Sequence, residues 1–122
     1  MVIRVASALT PESLAAMIDH TFLKPFGTPA DIEKLCDQAR RYRFAMVAIH
    51  PAEVPACVAL LAGSPVRVGA AIGFPLGQNT PETKAFEIAD AISKRAGEID
   101  MVINIRALQA GRADLVRREI AD

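Results

Sequence analysis

Tryptophan is missing from this chain, tyrosine occurs once, and cysteine and histidine occur twice each. Two cysteines cannot build the multi-bridge framework of a small secreted domain or a cysteine-rich structural zinc site. Cys36 falls in a helically spaced apolar stripe with Ile32, Leu35 and Ala39, and Cys57 in a second helical stretch. Both read as small buried hydrophobes. Net charge is lacking too. The 14 Lys+Arg balance the 14 Asp+Glu, which leaves no excess to neutralise a nucleic-acid backbone. No apolar run approaches the length of a membrane span. The stretch Met1 to Met17, broken by Ser7, Thr10, Pro11 and Glu12, lacks the apolar core of a secretion signal. These absences point to a cytoplasmic protein with neither a nucleic-acid nor a membrane partner.

What the chain has is apolar content, 52% of 122 residues, enough for a single domain over residues 1–122 with a modest core. Its punctuation is regular. Thr10-Pro11, Thr28-Pro29 and Thr80-Pro81 each pair a Thr N-cap with Pro at the first helical position. Glu12, Asp31 and Glu82 place an acid in each first turn, where the helix dipole favours it. His50-Pro51 with Glu53 is a weaker start of the same kind. Gly63 and Gly97 stand where helices should stop.

Short, nearly continuous apolar runs lie between these starts, the pattern of strands covered on both faces. The spacing predicts a leading helix near 11–16 and parallel strands at about 17–22, 44–49, 66–72 and 98–104, in sequential order. Helices fill the gaps. One carries the stripe Ala85, Ile88, Ala89, Ile92, with Lys84, Glu87 and Lys94 off it, and another begins near Arg112. Repeated β/α units mean a doubly wound sheet or a barrel. A nucleotide-binding, flavodoxin-like sheet is disfavoured because no glycine-rich phosphate loop follows the first strand. Eight units need about 250 residues, so four units in this chain amount to about half a barrel. The last helix runs to Asp122 with no terminating Gly, Asn or Pro, as an interrupted barrel would.

Three segments carry a resemblance. They are Ile18-Asp19-His20-Thr21 with Leu23-Lys24-Pro25, Ile72-Gly73-Phe74-Pro75-Leu76-Gly77, and Glu98-Ile99-Asp100-Met101-Val102-Ile103-Asn104. In this order and spacing they resemble the N-terminal half of deoxyribose-phosphate aldolases. The resemblance implies a class I aldolase on a (β/α)₈ barrel of TIM type, here as its first four units. Such enzymes reversibly cleave 2-deoxyribose 5-phosphate to glyceraldehyde 3-phosphate and acetaldehyde through a lysine Schiff base, with no metal or organic cofactor.

Asp100 matches the family's proton-relay aspartate. Independently, a lone carboxylate inside an apolar strand is costly unless paired or solvated at a barrel mouth. Asp19 and Thr21 match polar substrate-side positions, although such residues at a strand exit often bond nearby backbone. Leu23 and Phe74 match apolar positions near the pocket. The resemblance puts all five at the mouth, with Asp19 and Asp100 at the carboxyl ends of their strands. Ala48 and His50 depart from the residues common in the family.

The Schiff-base and activating lysines of the family belong to its sixth and seventh strands, and its phosphate loops to the last strands. Of the four lysines here, Lys34, Lys84 and Lys94 read as solvated or snorkelling helix charges. Lys24 alone is near the mouth, at no catalytic position. The expectation is an aldolase half that is inactive alone and is completed by a second copy or by a complementing half that brings the phosphorylated-sugar site. The competing reading is a half-barrel without catalysis, an assembly module or gene remnant.

Overall fold

A computed structural model describes residues 9–122. The three Thr-Pro signals each open a helix. Thr10 accepts from the Ser13 N–H at 3.1 Å to cap α1 (Pro11–Ala15). At α2 (Pro29–Tyr42) the Thr28 N–H and hydroxyl donate to Asp31 at 2.7 and 3.0 Å, which holds the Asp31 carboxyl below its ordinary range. Thr80 accepts from the Thr83 N–H to cap α4 (Pro81–Ser93). His50-Pro51 starts a 3₁₀ turn, Pro51–Glu53, that runs into α3 (Val54–Leu60).

Four parallel strands lie in the order β1 (Asp19–Phe22), β2 (Met46–Ile49), β3 (Arg67–Ile72), β4 (Glu98–Met101). Each is joined to the next through helical chain, as parallel neighbours require. α5 (Ile105–Gln109) and α6 (Ala113–Ala121) follow β4. This is half of a (β/α)₈ barrel.

Side chains alternate across a strand, and parallel register partners share a face. One face is covered. Val47, Ile49, Val68, Ala70 and Ile72, with Phe22, Ile99 and Met101, pack against Leu35, Cys36 and Ala39 of α2, Val54 and Cys57 of α3, and Ala91 of α4. The opposite face carries Asp19, Thr21, Met46, Ala48, Arg67, Gly69, Ala71, Glu98 and Asp100. Met46, Ala48 and Ala71 are buried but belong to no part of that core cluster.

The element ends depart from expectation for local reasons. The Met17 and Ile18 N–H groups close the turn of α1 by donating to Leu14 and Ala15, so β1 starts only at Asp19. β4 ends at Met101 because Asn104 accepts from the Ala107 N–H at 3.0 Å and caps a helix where strand was expected. Gly63 does take a positive φ of 77° after α3. Past α4 it is Arg95, at φ 76°, that turns the chain, and Arg43, at φ 56°, ends α2. Gly97 instead enters the ladder, donating to Val68 at 2.8 Å.

The largest correction is Lys84. It is fully buried, not solvated. Its ammonium donates to the Gly77 carbonyl at 2.9 Å, the Val102 carbonyl at 2.8 Å and the buried carboxylate of Glu119 in α6. Glu119 accepts a further bond from the Asn104 N–H at 3.0 Å. The buried row of α4 therefore runs through Lys84, Ile88 and Ala91, while Ile92 is exposed. Apolar periodicity cannot register a lysine whose three donors all find acceptors.

Removing one partner of such a pair strands a buried charge. Lys84→Met is expected to cost about 3–5 kcal/mol in urea unfolding, and Lys84→Met with Glu119→Leu substantially less than the single change. Additive losses would show that the pair is not coupled. The two thiols meet between α2 and α3, and the hydrogen bond that Cys57 donates to the Cys36 sulfur, then burial, pushes the Cys57 thiol well above its ordinary range. Neither cysteine should react with an aromatic disulfide reagent in the folded chain, and both should after denaturation.

Candidate functional site

Asp100 is exposed, third in β4, in register with Ala71. Its neighbours Ile99 and Met101 point into the helix-covered core, so its carboxylate projects from the opposite, concave face. The row beneath it runs Thr21, Ala48, Gly69, Glu98 across all four strands. The flexible end of the Met46 side chain lies over Gly69, where a Cβ would stand 2.8 Å from its Sδ and Cε and make it shift. The middle of the face is thus floored by small groups, with polar ones at both edges.

Asp19 shares this face but opens β1, in register with Met46 and Arg67. It therefore stands at the amino end of its strand, not at the carboxyl end as expected, because α1 consumes the residues before it. Thr21 donates its hydroxyl to the Asp19 carbonyl at 2.9 Å, the local backbone bond such residues often make. Arg67 and Glu98 form an ion pair on the same face.

The carboxyl ends of the strands are tied together by a contact that sequence reasoning missed. Nε2 of His50 bonds the Leu23 carbonyl at 3.0 Å, and its ring meets Phe74 edge-on with centroids 5.7 Å apart. One imidazole thus links the exits of β1, β2 and β3. Leu23 is half-buried and Phe74 is 40% exposed, so Phe74 presents open apolar surface at the rim. The only signal available was His50 immediately after an apolar strand. His20 faces the other way, bonding Gln38 of α2 at 2.9 Å and packing on Phe44.

On both sides of Phe74 the loop is held in place. The Gly73 N–H donates to Glu87 at 2.9 Å, and Gly77 comes so close to Ile103 that a Cβ would meet its carbonyl oxygen at 2.1 Å. Lys24 lies in the exposed loop after β1, with its ammonium 5.9 Å from the Phe26 ring. A groove of about 700 Å³ opens beside it, but its lining of Phe22, Ile32, His50 and Ala56 lies along α2 and α3 and does not include Asp100. Among the described residues no three His, Cys, Asp or Glu converge as a metal site would need, and no helix is long and apolar enough to cross a membrane.

The arrangement offers a solvated carboxylate on a strand of a concave sheet, an apolar rim at the strand exits and, among the described residues, no amine on the concave face. A group of this kind can take and return protons but cannot by itself form a Schiff base.

No family model matches the chain. A deoxyribose-phosphate aldolase of Bacteroides thetaiotaomicron is 70% identical over 118 residues, covering 97% of this chain and 50% of the relative. Among solved structures, a Coccidioides immitis protein provisionally named a deoxyribose-phosphate aldolase superposes with a TM-score of 0.88 at 36% identity, over 92% of this chain and 44% of that one. A deoxyribose phosphate aldolase from Aeropyrum pernix, described as tetrameric, superposes with a TM-score of 0.82 at 32% identity, over 91% and 46%. In sequence and in fold the chain is thus similar to proteins named deoxyribose-phosphate aldolase, of whose length it spans about half.

Proposed function

We propose that this chain forms one half of a deoxyribose-phosphate aldolase active site, with Asp100 moving protons and the Schiff-base lysine supplied from outside these 122 residues. The observation that carries the reading is the projection of Asp100 from the uncovered concave face of β4. In the cleavage direction the lysine amine adds to the substrate carbonyl and water leaves, giving an iminium. That iminium accepts the electron pair of the breaking carbon–carbon bond as the hydroxyl proton of the departing aldehyde is removed. Asp100, solvated at its strand, takes and returns such protons through water.

Asp19 and Thr21 lie along the same face and serve as polar substrate contacts, while Leu23 and Phe74 wall the apolar side. Phosphate binding belongs to the other half. The reaction needs neither metal nor organic cofactor, and the enzyme works in the cytoplasm as an oligomer. That no amine among the described residues stands on the concave face supports the second reading, a non-catalytic assembly module, for the chain standing alone.

In a complete barrel made by joining this chain to the uncovered half of the Bacteroides relative, Asp100→Asn should lower kcat by about 10²-fold or more with the fold intact by circular dichroism. An unchanged kcat removes Asp100 from the mechanism. The purified 122-residue chain should show no aldolase turnover and no lysine adduct when acetaldehyde is trapped with borohydride. A stoichiometric adduct on Lys24 would place the nucleophile in this half instead.

A further inference from the structure

We propose that Lys84 and Glu119 are positioning residues for the site. From the helix-covered side of the sheet they fix the gap between the rim loop that carries Phe74 and the strand that carries Asp100. The inference rests on the proposed aldolase reading and adds to it the residues that hold its two walls in register.

The strand ladder stops short of both walls. Its last bond between β3 and β4 runs from the Val102 N–H to the Ile72 carbonyl at 2.9 Å. Beyond it, among the described residues, no backbone bond joins residues 73–78 to residues 103–104. The direct side-chain bond between them, Gln78 to Asn104, is exposed and long at 3.4 Å.

Buried bonds take over. The Lys84 ammonium donates to the Gly77 carbonyl at 2.9 Å and to the Val102 carbonyl at 2.8 Å, one after each strand. Glu119 accepts from that ammonium and, at 3.0 Å, from the Asn104 N–H. Glu87, one turn further along α4, accepts from the Gly73 N–H at 2.9 Å, so the rim loop is held at both ends from one helix. Phe74 lies between those two ends, and Asp100 stands two residues before Val102. Glu119 itself lines a groove with Ile99 and Met101, the neighbours of Asp100 that face the core.

Stability does not demand an ion pair here. A well-packed apolar pair of similar volume often serves as well or better. What an apolar pair lacks is direction: it cannot donate to carbonyls after two different strands and accept from an amide in addition. It would keep α4 and α6 packed and leave the two walls free to slide. A displacement of about 1 Å in a reacting geometry costs about 10²-fold in rate. Phe74 is 40% exposed at the rim, so its distance from the Asp100 carboxylate sets how large an aldehyde the apolar side admits.

Lys84→Met with Glu119→Leu separates positioning from stability, because it removes the directed bonds and keeps an apolar pair in their place. The 122-residue chain should keep its circular dichroism. Its Gly77 amide, which donates to the Gly73 carbonyl at 2.7 Å and to neither substituted residue, should exchange with solvent about tenfold faster or more, with the amides of β2 unmoved. In the complete barrel made with the uncovered half of the Bacteroides relative, kcat should fall about tenfold or more, and the preference for acetaldehyde over propanal in the condensation direction should narrow. A role in stability alone would scale both aldehydes equally and leave KM in place, and that outcome overturns the proposal. So does a wild-type kcat in the folded double variant, or an unchanged Gly77 exchange rate. Should the double variant fail to fold, the wild-type chain decides: its Gly77 and Asn104 amides should open together with one dependence on denaturant, and separate openings overturn the proposal. A barrel whose kcat Asp100→Asn leaves unchanged defeats the proposed function instead, and the exchange measurements then judge this inference by themselves.

Discussion

An ammonium group taken out of water must find an acceptor for each of its three protons, and Lys84 does so inside a 122-residue chain with little core to spare. Two acceptors are backbone carbonyls from different loops, Gly77 after β3 and Val102 after β4, and the third is Glu119 on α6. The second oxygen of Glu119 then captures the Asn104 N–H just where β4 gives way to α5. Two strand exits and two helices are fastened at one point. Among the described residues no buried side-chain nitrogen or oxygen lacks a partner, so this charge is enclosed without an orphaned group.

Much of the architecture was legible because it follows from backbone rules that act locally. A Thr-Pro pair with an acid behind it can hardly do other than begin a helix. Apolar runs such as Val47 to Ile49 can only be buried between layers. What escaped were the places where a single residue's tertiary partners override its type. Lys84 reads as surface until Glu119, 35 residues away, is placed beside it. Arg43 and Arg95 take left-handed backbone that composition assigns to glycine. The run Val102 to Ile105 is as apolar as the strand before it, yet one side-chain cap at Asn104 converts its end into helix.

The site was legible to a different degree. Asp100 stood out because a carboxylate inside an apolar strand demands a reason, but only the placement of α4 and the core around Ile99 and Met101 shows which face it takes. Asp19 was assigned to the wrong end of its strand because an apolar Met17-Ile18 reads as strand, while the two N–H groups are in fact spent on closing α1. In the sequence His50 shows only as a weak helix start and a departure from the residues common in the family. Its work is mechanical, a ring wedged between the Leu23 carbonyl and Phe74.

The glycines flanking Phe74 bear on how such a sequence can drift. A side chain on Gly73 would press the Lys84 stem at 2.9 Å, and one on Gly77 would enter the Ile103 carbonyl, with both residues already at positive φ. Shortening Lys84 would make room at position 73 but would release Glu119 and, through it, Asn104. Positions 73, 77, 84 and 119 are therefore not four independent choices. A lineage can leave this arrangement only by exchanging several of them nearly at once, so the loop that shapes the rim should change in rare, concerted steps while the exposed helix faces around it vary freely.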